Sequence, residues 1–178
     1  AHALDAGASI SQAATPIDPN ETVVTLHDRL AQLGARLLVD TVADIAAGTA
    51  TRTPQDHDKA TLAPMLGREL SPMDFTRTAW QLHNQVRGLI PWPAAVATLG
   101  DKRCKVFSTV VLEGCTDTAP GTVLAAGKEG LVLSCGSGTQ LRIEELQPDG
   151  GKRMKAADYL RGHPIPVGTV LSVPDQET

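Results

Sequence analysis

The chain has 178 residues, of which 42% are hydrophobic and 3% are aromatic, and it carries a formal net charge of −4 at pH 7. This length suits one domain, or a small domain joined to part of another, with a core of mainly aliphatic side chains. No apolar run approaches the roughly 20 residues of a transmembrane helix, and the overall charge indicates no polyanion partner except through a local basic patch.

The first part of the chain combines a short apolar segment with a long helical pattern. Residues 8–14 predict a strand. Residues 22–47 place apolar side chains at helical spacing, which predicts one or two helices, capped by Asn20 or Thr22 and broken at Gly34. One strand and a helical hairpin bury little surface, so this region predicts the tail of a larger α/β domain.

A linker and an amphipathic helix follow. Residues 49–70 hold two prolines, mixed charge and no sustained periodicity, which predicts a linker. The stretch WQLHNQVRGLIPWPA at 80–94 begins as a helix, with Asp74 or Thr76 as its expected cap, and stops at a Pro-Trp-Pro corner. Trp92, between the two prolines, is expected to pack against the neighbouring domain, with a ligand platform as the alternative.

Beyond this corner, short apolar runs are separated by Gly, Pro and Asp, which predicts strands. Five or six strands at this spacing suggest a small barrel. A short helix is expected at 155–161. The expected strands are 95–99, 105–112, 121–126, 130–135, 140–146 and 168–173.

The cysteines and histidines indicate no special chemistry. Cys104, Cys115 and Cys135 form no CxxC pair, which is typical of buried, reduced thiols in a cytosolic protein. The histidines lack metal-ligand spacing, so we predict no metal, and His27 and His83 are expected at the surface or in the core rather than as catalytic bases. No GxGxxG or GxxxxGK[ST] loop indicates a nucleotide cradle.

Basic residues cluster at two predicted loops of the second half, one on a hairpin and one after Gly150-Gly151. On a barrel, these loops could meet on one side and contact phosphates, with an affinity that falls as salt rises. Composition alone favours ordinary solvated surface instead. Phe107 and Trp92 are expected to be core residues, so base stacking is expected to be minor. The candidate residues are Arg87, Lys102, Arg103, Lys105, Lys152, Arg153 and Lys155.

Three stretches carry a family resemblance. They are LDAG at 4–7 with TPI at 15–17 and the helix that follows, LHNQVRGLIPWPAA at 82–95, and LQPDGGKRMKAADYLRG at 146–162. Their order and spacing resemble the second half of methionyl-tRNA formyltransferase across essentially the whole chain. The PWP corner and the QPxGxKxM-type loop are specific motifs, whereas LDAG is weak by itself.

The resemblance implies a fold and a reaction. Residues 1–48 would be the end of a Rossmann-like formyltransferase domain of α/β class, 49–70 a linker, and 71–178 an OB-like β-barrel domain. The intact enzyme would transfer a formyl group from 10-formyltetrahydrofolate to the amino group of initiator methionyl-tRNA during translation initiation. It would be a cytoplasmic monomer that uses neither DNA, nor a membrane, nor a metal.

The resemblance also implies a catalytic residue. The family uses an Asn, a His and an Asp, and only the Asp has a counterpart here, at Asp5, so the chain alone is expected to be inactive. The family usually reads DTGD, whereas this loop reads DAGA, with Ala8 at the second acidic position. A carboxylate there can hold a His cationic or relay protons. From the residues alone, Asp-Ala-Gly is more often a plain turn.

Two alternatives stay open. One is a non-catalytic barrel module that only binds tRNA. The other is a sugar-nucleotide formyltransferase of the same superfamily, which would share the LDxG and PWP features. The basic tail KRMKAADYLRG at 152–162 favours the tRNA substrate. With the resemblance, the seven basic residues are favoured as backbone contacts that position tRNA rather than read its bases.

Overall fold

The structure is a computed structural model that describes residues 5–172. The chain divides into two compact units, unit 1 (Ala1–Met65) and unit 2 (Leu66–Thr178). The last residue of the strand predicted at 168–173 lies outside the described residues. The helices are α1 (Val23–Ala47), α2 (Ala79–Leu89) and α3 (Ala156–Gly162), and the strands are β1 (Ala95–Leu99), β2 (Lys102–Leu112), β3 (Val123–Gly127), β4 (Gly130–Ser134), β5 (Gln140–Pro148) and β6 (Met154–Lys155).

Unit 1 is built around the single helix α1. Its N-cap is Thr22, whose hydroxyl accepts a hydrogen bond from the Thr25 backbone N–H, and it ends at Gly48 in the left-handed conformation. Gly34 lies inside the helix, so the predicted break there is wrong. A glycine costs a helix only about 1 kcal/mol relative to alanine, which a helix of 25 residues tolerates.

The prediction of a strand at 8–14 is wrong, because these residues form no strand. Ser9 instead forms one isolated antiparallel bridge with Thr53, with N–H to carbonyl distances of 2.9 and 2.8 Å. The apolar side of α1 remains open, because Leu38 and Val39 are 63% and 69% exposed. None of the helices in residues 5–172 is long and apolar enough to cross a bilayer.

Unit 2 is an antiparallel sheet packed against α2 and α3. The strand order is β1-β2-β5-β4-β3, and β6 pairs with β5. Five strands form near their predicted positions, although β2 begins at Lys102 and β3 at Val123. The strand predicted from 168 is reduced to a bridge between Thr122 and Val170. Within residues 5–172, β1 and β3 do not pair, so the sheet is not closed and the OB-like barrel is not confirmed.

The core of unit 2 lies between the sheet and α2, and it is mainly aliphatic, as the composition predicts. Leu82 and Val86 of α2 share one cluster with Val106 and Leu141 of the sheet. One contact in the core is polar: His83 Nδ1 lies 3.0 Å from the Thr109 hydroxyl of β2, and both residues are buried. The expectation that His83 is a satisfied core residue is therefore confirmed.

The cap of α2 differs from the prediction. The helix begins after Thr78, not after Asp74 or Thr76. The Thr78 hydroxyl accepts from the Gln81 N–H at 3.3 Å, and the Gln81 side-chain oxygen accepts from the Thr78 N–H at 2.9 Å. Such a reciprocal capping box satisfies two backbone donors at once, which explains why this threonine is used.

The cysteines follow the prediction in two of three cases. Cys104 and Cys135 are buried, whereas Cys115 is exposed, so the expectation of a buried thiol is wrong for Cys115. Burial raises the pKa of the Cys104 thiol to about 11 and that of Cys135 to about 12. His27 lies at the surface of α1, as expected.

Candidate functional site

The first candidate site is the loop at Asp5. Asp5 is exposed and has a φ of 55°, in the left-handed region that non-glycine residues seldom occupy. The Gln55 side-chain amide donates to the Asp5 carbonyl at 2.9 Å and to the Gly7 carbonyl at 2.6 Å. The bridge between Ser9 and Thr53 holds the same two segments together. The loop is therefore held by residues that the sequence assigns to a linker.

Gln55 is a residue that the sequence analysis missed. It lies in the TPQD stretch at 53–56, which has no periodicity of its own. The sequence therefore does not indicate that Gln55 lies beside Asp5. An exposed carboxylate such as that of Asp5 can accept a proton or orient a cation, but it forms no acid–base pair by itself. Within residues 5–172, no three His, Cys, Asp or Glu side chains form a group that could hold a metal ion.

The second candidate site lies where two basic loops of unit 2 meet. The first is the β1–β2 hairpin, in which Leu99 pairs with Lys102. The second is the turn after β5, where the Asp149 N–H donates to the Arg103 carbonyl at 3.0 Å. The two loops are therefore neighbours.

The basic residues of strand β2 lie on both faces of the sheet. Cys104 and Val106 are buried, and side chains alternate along a strand, so Arg103 and Lys105 point to the outer face. Lys102 has the same parity as Cys104 and lies at the exposed start of the strand on the other side. The hairpin cluster is thus split, with two of its three cations on the outer face.

The other loop is partly engaged by neighbours. Arg153 lies over the Phe107 ring, with Cζ 4.6 Å from the ring centroid, and its Nε donates to Glu145 at 2.9 Å. Lys155 is the cross-strand partner of Glu145, while Lys152 is exposed. Half-buried Phe107 is therefore a support for Arg153 rather than a core residue.

Arg87 is not brought to this face. It lies on α2, where its Nε donates to the Asn84 side-chain oxygen at 2.7 Å. Helix α2 packs against the core cluster that includes Cys104 and Val106, whereas Arg103 and Lys105 alternate with those residues. Arg87 and the outer face therefore lie on opposite sides of the sheet.

A cavity of about 300 Å³ opens on the outer face beside Arg103 and Lys105. Arg68 and Trp92 also line this cavity. The sequence analysis did not place either residue beside Arg103 and Lys105. Trp92 is 56% exposed, so the indole is open to solvent in the described structure. Trp92 is therefore not a core residue of the described chain, and its packing against the neighbouring domain stays a prediction.

Comparison with known proteins finds similarity along nearly the whole chain. Residues 66–164 match the family described as Formyl transferase, C-terminal domain. A protein of Bacillus subtilis (strain 168) named methionyl-tRNA formyltransferase is 42% identical over 174 residues, which are 98% of this chain and 55% of that protein. A protein of the same name from Trichlorobacter lovleyi is 41% identical over 94% of this chain and 52% of that protein. The chain thus spans about half the length of these relatives.

Solved structures agree at the level of the fold. HypX from Aquifex aeolicus, in complex with tetrahydrofolic acid, matches 90% of this chain and 28% of that chain with a TM-score of 0.64 and 16% identity. The N-formyltransferase from Helicobacter canadensis, in complex with folinic acid and dTDP-3-aminofucose, matches 79% of this chain and 51% of that chain with a TM-score of 0.62 and 17% identity. At such identities the likeness concerns the fold alone.

Proposed function

The chain belongs to the formyl transferase C-terminal domain family, and on this premise we propose that it is the carboxyl-terminal portion of a methionyl-tRNA formyltransferase. The observation that carries the proposal is the similarity to relatives of that name along almost the whole chain. The intact enzyme would transfer a formyl group from 10-formyltetrahydrofolate to initiator methionyl-tRNA. We propose a cytoplasmic, monomeric enzyme that acts in translation initiation.

Residues 1–48, which belong to unit 1, are proposed as the end of the Rossmann-like catalytic domain. An amphipathic helix normally buries its apolar side against another element. No residue of α1 is buried, and apolar Leu38, Val39 and Val42 are all more than half exposed. An α/β sheet packed on this side would explain the pattern. We propose residues 49–70 as the linker and 71–178 as the OB-like domain that contacts tRNA.

Asp5 is proposed as the catalytic carboxylate. In the reaction, the amino nitrogen attacks the formyl carbon, the bond from that carbon to the folate nitrogen breaks, and the proton lost by the amine is returned to the folate nitrogen. The Asp5 carboxylate would relay this proton or hold a protonated imidazole in place. The Asn and His of the family's catalytic set have no counterpart in this chain.

A chimera tests both proposals. This chain replaces the matching segment of the Bacillus subtilis relative, and formation of formylmethionyl-tRNA is measured; the chimera is expected to be active and the chain alone inactive. Asp5→Asn is expected to lower kcat by about 100-fold, because an amide neither accepts a proton nor carries charge. Asp40→Asn, on exposed α1, is the matched control.

The two results are separable. A folded chimera without formyl transfer would contradict the proposed function. Normal turnover by the Asp5→Asn chimera would contradict only the role of Asp5. The same chimera is not expected to formylate dTDP-3-aminofucose, and formylation of that sugar would favour the sugar-nucleotide alternative.

The non-catalytic alternative, tRNA binding by this chain alone, is favoured by one observation. Arg103 and Lys105 alternate with buried Cys104 and Val106 and therefore share the outer face of β2. Each lost phosphate contact reduces the slope of log K against log salt by roughly 0.7 to 0.9. Replacing both residues by alanine is therefore expected to reduce the slope by about 1.4 to 1.8.

Gel-shift titrations with tRNA at several salt concentrations measure this slope. The matched control removes two cations elsewhere, Arg36 on α1 and Lys128 on the β3–β4 turn, and is expected to leave the slope closer to that of the wild type. Equal slopes for the two double variants would show that general charge, and not the outer face of β2, attracts tRNA.

A further inference from the structure

The cavity on the outer face is built from three backbone segments that are fixed to one another. Val96 and Lys105 are cross-strand partners and therefore point to the same face. On one side, the Val96 N–H donates to the Ser71 carbonyl at 2.7 Å. On the other side, the Asp149 N–H donates to the Arg103 carbonyl at 3.0 Å. The cavity is thus held by main-chain hydrogen bonds and not only by surface side chains.

Trp92 stands beside this cavity at the Pro-Trp-Pro corner. The corner is closed by a hydrogen bond from the Ala94 N–H to the Leu89 carbonyl at 2.9 Å. Helix α2, which precedes the corner, is joined to the segment before it by Gln85, whose side-chain amide donates to the Pro72 carbonyl at 3.0 Å. A large apolar ring that is 56% exposed on such a fixed corner is placed to stack on a flat ligand.

Two other aromatic residues, half-buried Phe107 and exposed Trp80, are less suited to this role. Arg153 covers the Phe107 ring at 4.6 Å from the centroid. Trp80 meets His83 in an edge-on contact, with ring centroids 5.7 Å apart. Trp92, by contrast, shares its cavity with three cations and one carboxylate. The charged residues that line it are Arg68, Arg103, Lys105 and Asp149.

We propose that this cavity binds one unstacked nucleotide of an RNA, with the base on the Trp92 indole and the phosphate beside Arg103 and Lys105. The excess of positive charge suits a phosphate, and the volume of about 300 Å³ lies at the lower end of the range for small-ligand sites. Base faces are covered within a duplex, so the nucleotide belongs to a loop, a bulge or an end. The proposal rests on the proposed function, in which the RNA is the tRNA.

Tryptophan fluorescence tests the stacking directly. The chain contains two tryptophans, so Trp80→Phe leaves Trp92 as the only indole and Trp92→Phe leaves Trp80. Titration with a single-stranded RNA tetranucleotide is expected to quench the Trp80→Phe variant and to leave the emission of Trp92→Phe unchanged. Quenching of both variants alike, or of Trp92→Phe alone, overturns the proposal.

The source of the nucleotide is decided by a second titration. Adenosine 5′-monophosphate carries the same base and phosphate without a neighbouring nucleotide. The tetranucleotide is expected to bind at least tenfold more tightly than the mononucleotide. Equal or tighter binding of the mononucleotide overturns RNA as the ligand and assigns the cavity to a free nucleotide.

Charge variants locate the phosphate. Lys105→Ala is expected to weaken tetranucleotide binding about tenfold while leaving the quenching of Trp92 at saturation unchanged. Lys128→Ala removes the same charge from the β3–β4 turn and is expected to bind like the wild type. If the two lysine variants weaken binding equally, the phosphate does not lie at Lys105.

Binding of tRNA separates this inference from the proposed function. Trp92→Ala is expected to weaken tRNA binding about 10- to 100-fold with an unchanged salt slope, because stacking involves no counterion release. Since Trp92 is exposed, this variant is expected to fold, and circular dichroism checks this. If the wild-type protein does not bind tRNA, the proposed tRNA contact of residues 71–178 fails, whereas formyl transfer is decided by the chimera. If the wild-type protein binds tRNA but Trp92→Ala binds equally well, only this inference fails.

Discussion

Two arginines from the two basic loops, Arg103 and Arg153, have different surroundings in this protein. Arg103 lines the cavity beside Trp92, and Arg153 lies on Phe107 and pairs with Glu145. Both belong to sequence clusters that predict phosphate contacts. The cluster could be recognised from the sequence, but the surroundings of each guanidinium depend on cross-strand register, which no local pattern shows.

Gln55 provides a test at this scale, in the chimera that carries the chain. It donates to two carbonyls of the Asp5 loop, and each such bond is worth about 1 kcal/mol. Gln55→Ala is therefore expected to lower kcat about tenfold through misplacement of Asp5. The KM for tRNA is expected to remain unchanged, because Gln55 positions a catalytic residue and not the tRNA.

Two further variants define the role of Gln55. Gln55→Glu has the same shape but cannot donate, so it is expected to behave like Gln55→Ala. Gln32→Ala, at an exposed position of α1, is the matched control and is expected to retain kcat. A Gln55→Glu enzyme with normal kcat would show that the two hydrogen bonds do not position Asp5.

The positions of helices and strands were easier to predict than the residues at which they begin and end. The four strands from β1 to β4 and most of β5 follow alternating or continuous apolar runs between turn residues, and their positions shift by only a few residues. Helix starts are harder, because Asp74, Thr76 and Thr78 are all acceptable caps by residue type. The structure selects Thr78 because Gln81 lies three residues later and completes the capping box.

The cap of α2 gives a prediction at the scale of the element. Thr78→Ala is expected to lower the free energy of unfolding by about 1 kcal/mol, because it removes the acceptor for the Gln81 N–H. Thr76→Ala, two residues earlier, is expected to cost less than half as much. The midpoints of urea unfolding compare the two variants, and a larger loss for Thr76→Ala would contradict the assignment.

At the scale of the whole molecule, the stability is expected to depend on alkaline pH. Burial raises the pKa of Cys104 to about 11 and of Cys135 to about 12, and burial also raises the pKa of Tyr159. Unfolded thiols ionise near about pH 8.5. Above that pH the unfolded state holds fewer protons than the folded state, so the free energy of unfolding falls as the pH rises through this window.

Thermal unfolding between pH 8.5 and 10.5 measures this effect. The Tm is expected to fall by roughly 5 °C or more. Cys135→Ala is expected to reduce the dependence of Tm on pH, although it lowers Tm itself, because it removes one buried thiol. Cys115→Ala, which removes an exposed thiol, is the control with the wild-type dependence. A Tm that does not change over this range would contradict the expectation.

The sequence by itself determined most strands of unit 2, the positions of α1 and α2, the Pro-Trp-Pro corner and the resemblance to methionyl-tRNA formyltransferase, because these depend on local periodicity and on motifs with fixed spacing. Only the tertiary structure decided that Gln55 lies beside Asp5, that Arg103 and Lys105 share a cavity with Trp92, and that Arg87 lies across the sheet. The physical reason is that such neighbours are distant in the chain, up to 50 residues for Gln55 and Asp5. Backbone pairing and side-chain alternation bring them together, and neither can be read from the residues alone.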